Sequence, residues 1–266
     1  MAATLAQHQI AAPVIRTLPG RRFDHVFFPG VAWLMLITVF VGFAPSYYLA
    51  GTVRAPLPSL AIHVHAILFS CWILLLIAQT SLTARGRVDI HRRLGIAGFI
   101  LAGSMLVVGV WAATDGLARV SPVHHGVPGV PRPLDPLGFY IFPLANVVAF
   151  AVLIVFAYRA RFDSAAHKRL IIVASTALMT APIARWHLHQ FLRTREFGVG
   201  AVMAERLSYI FILLLIAYDL WATRRVHRAT LWAGAFLIGL QQFALHFGRT
   251  SLWHAFAGWV QSIART

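Results

Sequence analysis

Residues 59–95 read SLAIHVHAILFSCWILLLIAQTSLTARGRVDIHRRLG. From Leu60 to Leu82 no side chain carries a full charge. A helix needs about 20 apolar residues to cross the hydrocarbon core of a bilayer, and this run suffices. A basic turn follows, with Arg85, Arg87, Arg92 and Arg93, and Leu94 then opens a second apolar run. Span, basic turn, span is the pattern that decides the fold.

Working outward, the pattern recurs. Apolar runs cover roughly 28–50, 59–82, 93–115, 137–158, 169–190, 206–223 and 229–247. Hydrophobic residues make up 59% of the 266 and charged residues 12%, against roughly 25% charged in soluble domains. The composition excludes disorder and a disulfide scaffold. The single cysteine, Cys71, lies inside an apolar run. The expected fold is an all-α, polytopic membrane protein with seven transmembrane helices. Residues 1–27 read as a cytoplasmic tail rather than a signal peptide, 28–247 as the membrane domain and 248–266 as an outer-surface amphipathic segment. There, 251–263 sets Trp253, Phe256, Ala257, Val260 and Ile263 on one helical face, as an interfacial helix would.

The formal net charge is +15. The basic residues fill short loops between apolar runs, so they point to span anchoring and anionic lipid rather than nucleic acid. One set of loops holds Arg16, Arg21, Arg22; Arg85, Arg87, Arg92, Arg93; Arg159, Arg161, Lys168, Arg169; and Arg224, Arg225, Arg228. The opposite set is poorer in basic residues. Positive-inside then puts the N-terminus in the cytoplasm and the C-terminus outside, in the inner membrane of a bacterium. The outer stretch 116–136 is rich in Pro and Gly and reads as a lid-like loop.

Three runs open alike: His91-Arg92-Arg93-Leu94, His167-Lys168-Arg169-Leu170 and His227-Arg228-Ala229-Thr230. This suggests duplicated two-helix hairpins. Basic residues at a helix start oppose the helix dipole, so something anionic is expected beside them, with lipid phosphate the simplest answer. Within the third run Gly98 and Ala102, and Gly95, Ala102 and Gly109, have the spacing of close helix packing; Ala235 and Gly239 repeat it in the seventh.

Eight of the 13 histidines map to the outer half. They are His63, His65, His124, His125, His187, His189, His246 and His254. Helical spacing puts Arg185 with His189, Gln242 with His246 and Arg249, and Glu205 with Tyr209. His65, Trp72 and Gln79 form one stripe at sevenfold spacing. Ionisable groups at these depths are costly unless they face the bundle interior and pair, and Arg185 with Glu205 is the natural ion pair. Imidazole suits zinc, copper and iron. The expected site takes His63, His65, His187, His189 and His246 as metal or haem ligands. Arg185, Arg249 and Gln242 would bind the cofactor, and Glu205 would act as base. A metal-free polar pocket and a purely structural role remain alternatives.

The Arg87-Val88-Asp89 segment, followed by His91-Arg92-Arg93-Leu94-Gly95, resembles bacterial multi-pass membrane proteins. Relatives of those are similar to b-type cytochromes or to oxidase-maturation factors. The resemblance spans about residues 60–110. It implies haem or copper handling near a respiratory complex, with His63, His65 or His91 as ligands. Seven helices with an inner N-terminus also resemble the progestin/adiponectin-receptor-like hydrolases, which hold zinc with three histidines. Their metal lies toward the cytoplasm, whereas this histidine cluster lies outside. The functional expectation is a metal- or haem-binding protein of redox or maturation chemistry. A metal-dependent membrane hydrolase, with Glu205 activating a metal-bound water, is the second reading. A non-enzymatic subunit of a larger membrane complex is the third.

Overall fold

The computed structural model describes residues 23–53, 58–119, 135–186 and 197–265. Those residues form helices joined by short turns, without a strand among them. Helix α1 (Asp24–Phe43) runs into a π-helical segment, Ala44–Tyr48, and a short α2 (Ala50–Val53). Two long helices follow, α3 (Leu60–Ala84) and α4 (Val88–Arg119). The one-turn α5 (Pro136–Phe139) leads into α6 (Ile141–Arg159), and α7 (Ser164–Ala177) and α8 (Thr180–Ala184) come next. The last four are α9 (Phe197–Ser208), α10 (Ile210–Thr223), α11 (Arg228–Phe247) and α12 (Ser251–Ala264).

Five stretches are long and apolar enough to cross a membrane: Asp24–Tyr48, Leu60–Ala84, Val88–Arg119, Pro136–Arg159 and Ala201–Thr223. This is a membrane protein of helical build. The first span starts at Asp24, four residues before the expected boundary, and the third extends on both sides of 93–115.

The fifth and seventh expected runs differ from the others. The fifth breaks into α7 and α8 instead of one helix over 169–190. Pro182 has no N–H to give the Leu178 carbonyl. The turn tightens there, with Leu178 N donating to Ser175 O at 3.1 Å and Met179 N to Thr176 O at 3.0 Å. Helix α7 is buried on nearly every side from Arg169 onward. It packs against α6, α10 and α11. A helix enclosed by protein tolerates polar residues if each finds a partner. Trp72 Nε1 of α3 accordingly donates to Ser175 Oγ at 3.1 Å, a buried bond. In the same way Pro45 cannot donate to Val41, and the chain slips to a wider turn in which Leu49 N reaches Ala44 O at 2.7 Å.

The small-residue stripe of α4 packs as expected. A Cβ on Gly98 would stand 3.0 Å from the Leu75 side chain, and one on Gly109 3.0 Å from Val147. The stripe expected on the seventh run does not. Ala235 and Gly239 face outward, and a Cβ on Gly239 would meet nothing within 4 Å. The inward face of α11 is instead Thr230, Ala233, Gly234, Leu237, Gln241 and Ala244. The period was right and the phase was not.

At the end of the bundle where α7 and α11 begin, the charges interlock. Lys168 pairs with Asp24, whose Oδ1 accepts from the Tyr218 hydroxyl at 2.6 Å. Arg169 pairs with Asp219, its Nε donating to Oδ1 at 2.9 Å. The other carboxylate oxygen of Asp219 accepts from His227 N at 2.9 Å and Thr230 Oγ1 at 2.8 Å. Arg169 Nη1 donates to Ala165 O at 2.7 Å. The anion expected beside the second helix start is therefore supplied by this chain's own aspartates.

Candidate functional site

The opposite half of the bundle holds polar side chains of another kind. Glu205 on α9 is 1% exposed, and its Oε1 has no hydrogen-bond partner. On α3, the His65 ring stacks on Phe69 with centroids 3.9 Å apart, and its buried Nδ1 is unpartnered. The Thr180 hydroxyl at the start of α8 and Gln241 Oε1 on α11 are also buried without partners. The Tyr209 hydroxyl lacks a bond of ordinary geometry, with Gln242 and Glu205 beside it. His65 lies within electrostatic reach of Arg185. A buried polar atom left unpaired costs about 1–3 kcal/mol. Buried polar atoms of this kind usually have a protein or water partner.

The expected residues divide. Glu205 and Gln242 are brought together beside Tyr209, while His65 lies near Arg185. His63 is half-buried, but Tyr47 holds it, with the hydroxyl 3.3 Å from Nδ1. His246 and Arg249 are exposed at the end of α11. His187, His189, His124, His125 and the loop stretch 120–134 lie outside the described residues, as do Arg16, Arg21 and Arg22 of the tail. The expected Arg185–Glu205 pair does not form. Arg185 sits at the end of the one-turn α8 and folds back. Its Nη1 donates to Ala181 O at 2.9 Å, and the guanidinium lies 4.7 Å from the Phe43 ring centre. Among the described residues no three His, Cys, Asp or Glu side chains converge as a metal centre would require.

Sequence reasoning passed over several participants. Gln241 is fully buried, and its Nε2 donates to Asn146 Oδ1 at 2.9 Å, joining α11 to α6. Both are amides inside apolar runs, which was the available signal. Thr180 gave no signal, since threonine is common in apolar helices and its depth depends on the break at Leu178.

The rim of this end is closed by α12. Trp253 Nε1 donates to Leu137 O at 2.9 Å, and Gln261 Nε2 to Leu117 O at 2.8 Å. His254 is held at both nitrogens, Nδ1 2.9 Å from Thr250 O and Nε2 2.9 Å from Asp135 Oδ1. Those acceptors carry no proton, so both ring nitrogens donate and the imidazole is charged. The Thr250 carbonyl and the Asp135 carboxylate together raise its pKa above 6.5. The faces of α12 are split, with Trp253 and Ala257 inward and Leu252, Phe256, Trp259 and Ile263 outward. An apolar cleft of about 360 Å³ lies between Phe247, Leu252, Trp253 and Phe256.

No protein-family model, curated protein or solved structure matches this chain.

Proposed function

We propose that this chain is an integral membrane protein that binds a haem or another metal-bearing polar ligand in the half of its bundle away from the basic end. Its role would be redox or maturation chemistry. The observation that carries the reading is the buried, unpartnered Nδ1 of His65. A neutral imidazole nitrogen held out of water without a partner is a ready metal ligand.

The donor set discriminates between the metal readings. A catalytic zinc site takes three protein ligands and keeps one position open. In this half of the bundle the described residues offer one buried, unpartnered imidazole nitrogen, on His65, and one such carboxylate oxygen, on Glu205, fewer donors than the hydrolase reading needs. Haem iron is satisfied by one or two axial ligands. His65 would hold the iron, Arg185 would face an anionic edge of the group, and Tyr209 and Gln242 would orient it. The bound group would supply one-electron chemistry. The chain would exclude water and fix its position. The same reading places the basic end in the cytoplasm of a bacterium, against anionic lipid, and the site toward the outside.

The test is an absorbance spectrum and elemental analysis of the full chain purified from membranes in mild detergent, followed by haem titration into the His65→Ala variant. Stoichiometric iron with a haem spectrum, lost in His65→Ala while the fold persists, is the expected result. Folded protein that carries no metal and takes up no haem would sink the reading and leave the role of a non-enzymatic subunit.

A further inference from the structure

The basic end holds a second set of unpaired groups, away from the Asp24–Lys168 and Arg169–Asp219 interlock. Gln79, the inner member of the α3 stripe, donates through Nε2 to His91 O at 3.2 Å. That carbonyl can only accept, so the amide's orientation is fixed and Oε1 is left facing away. Gln79 Oε1 is buried and unpartnered, and so is His91 Nδ1. Next to them stands His167 of α7, its ring centre 6.4 Å from that of His91 and its plane nearly perpendicular, at 85°.

His167 is already oriented. Its Nδ1 lies 2.8 Å from Ala157 O on α6. A carbonyl partner fixes Nδ1 as the protonated nitrogen and leaves Nε2 with a free lone pair. A backbone carbonyl on one imidazole nitrogen is the usual support of a histidine whose other nitrogen binds metal.

The third copy of the motif shows what these residues would do if their role were only local. His227 caps its own helix, Nδ1 accepting from Ala229 N at 3.1 Å. His91 does not use its Nδ1 in this way, although it occupies the same place in the motif. The capping explanation therefore covers one copy in three.

We infer that His91, His167 and the Gln79 side-chain oxygen form a site for a first-row transition metal ion at the basic end of the bundle. Two imidazoles and an amide oxygen suit such an ion, and soft-ligand chemistry is not needed. A metal sits about 2.0–2.1 Å from a ligating imidazole nitrogen, hence roughly 3 Å from the ring centre. Two rings on opposite sides of one ion are then about 6 Å apart, close to the observed spacing. Water would fill the remaining coordination positions. A buried water alone would also serve the hydrogen bonds of Gln79 and His91, and a Co²⁺ titration separates it from a metal ion.

This inference does not depend on the His65 region, and its test separates the two. The full chain in detergent is stripped with a chelator and titrated with Co²⁺, read by its visible absorption, and then with Zn²⁺ in competition. Wild type should bind an equivalent that His91→Ala and His167→Ala each weaken at least about tenfold. His65→Ala and His227→Ala should retain it. If His91→Ala fails to fold, His167→Gln carries the test, since an amide can keep the bond to Ala157 O. No Co²⁺ binding by wild type, or binding unchanged in folded His91 and His167 variants, overturns the proposal.

Discussion

Asp219 ties α10 to the starts of α7 and α11. It lies in an apolar helix, is fully buried, and accepts from Arg169, His227 N and Thr230. Breaking a buried ion pair by removing one partner costs about 3–5 kcal/mol, because the other charge stays buried. Asp219→Ala should therefore lower the thermal midpoint in detergent by far more than Asp115→Ala, whose partner Arg119 is half in solvent. Differential scanning of the two variants checks this, and equal midpoints would show that Arg169 finds another partner. The aspartate was legible in the sequence as a charge inside an apolar run. His65 shows the converse. Its inward phase followed from the stripe with Trp72 and Gln79, but its lack of a partner could not, because that depends on the helices facing it.

At the scale of elements, apolar length located the five stretches long enough to cross a membrane, and prolines explain two of the places where the helices differ from the expected runs. Pro182 splits the fifth run and Pro45 widens the end of the first. Where these two irregularities meet, the backbones touch. A Cβ on Gly42 would lie 2.3 Å from Pro182 O, a distance that requires α1 and α8 to separate. Overpacking of this kind costs about 1–3 kcal/mol or more. Gly42→Ala should be clearly destabilised in a detergent melt, and Gly239→Ala, with open space around it, should match wild type. The reverse ranking would mean that α11 rather than α1 is packed through its small residues. Spacing marked both stripes, but only that of α4 faces inward; spacing cannot settle phase by itself, since lipid and protein interior are equally apolar.

For the molecule as a whole, the two ends differ in how they are fastened. The basic end is locked by one buried ion pair, Arg169–Asp219, and one partly buried pair, Lys168–Asp24. The other end is closed by α12, whose docking leans on one charged histidine. With its folded pKa raised, His254 gives its full stabilisation below about 6.5 and loses it as pH rises through the folded value. The groups facing it are Asp135 and the Thr250 carbonyl. Protection of residues 251–264 against hydrogen exchange, relative to α3, should be greater at acidic pH than at pH 8.5. His254→Gln should abolish that dependence. Identical protection at both pH values in wild type would show that Trp253 and Gln261 hold the helix unaided.

The ion pairs of the basic end also bear on how the chain reaches its membrane. Lys168 follows its partner Asp24 by 144 residues, and Arg169 precedes its partner Asp219 by 50. During synthesis, the helix carrying both cations emerges with one counter-charge long since made and the other not yet translated. It cannot settle among lipids by itself, so it must wait at the water boundary or against earlier helices. The arrival of Asp219 then completes the assembly, and a chain truncated before that residue should be a substrate for quality-control proteolysis rather than a smaller folded protein.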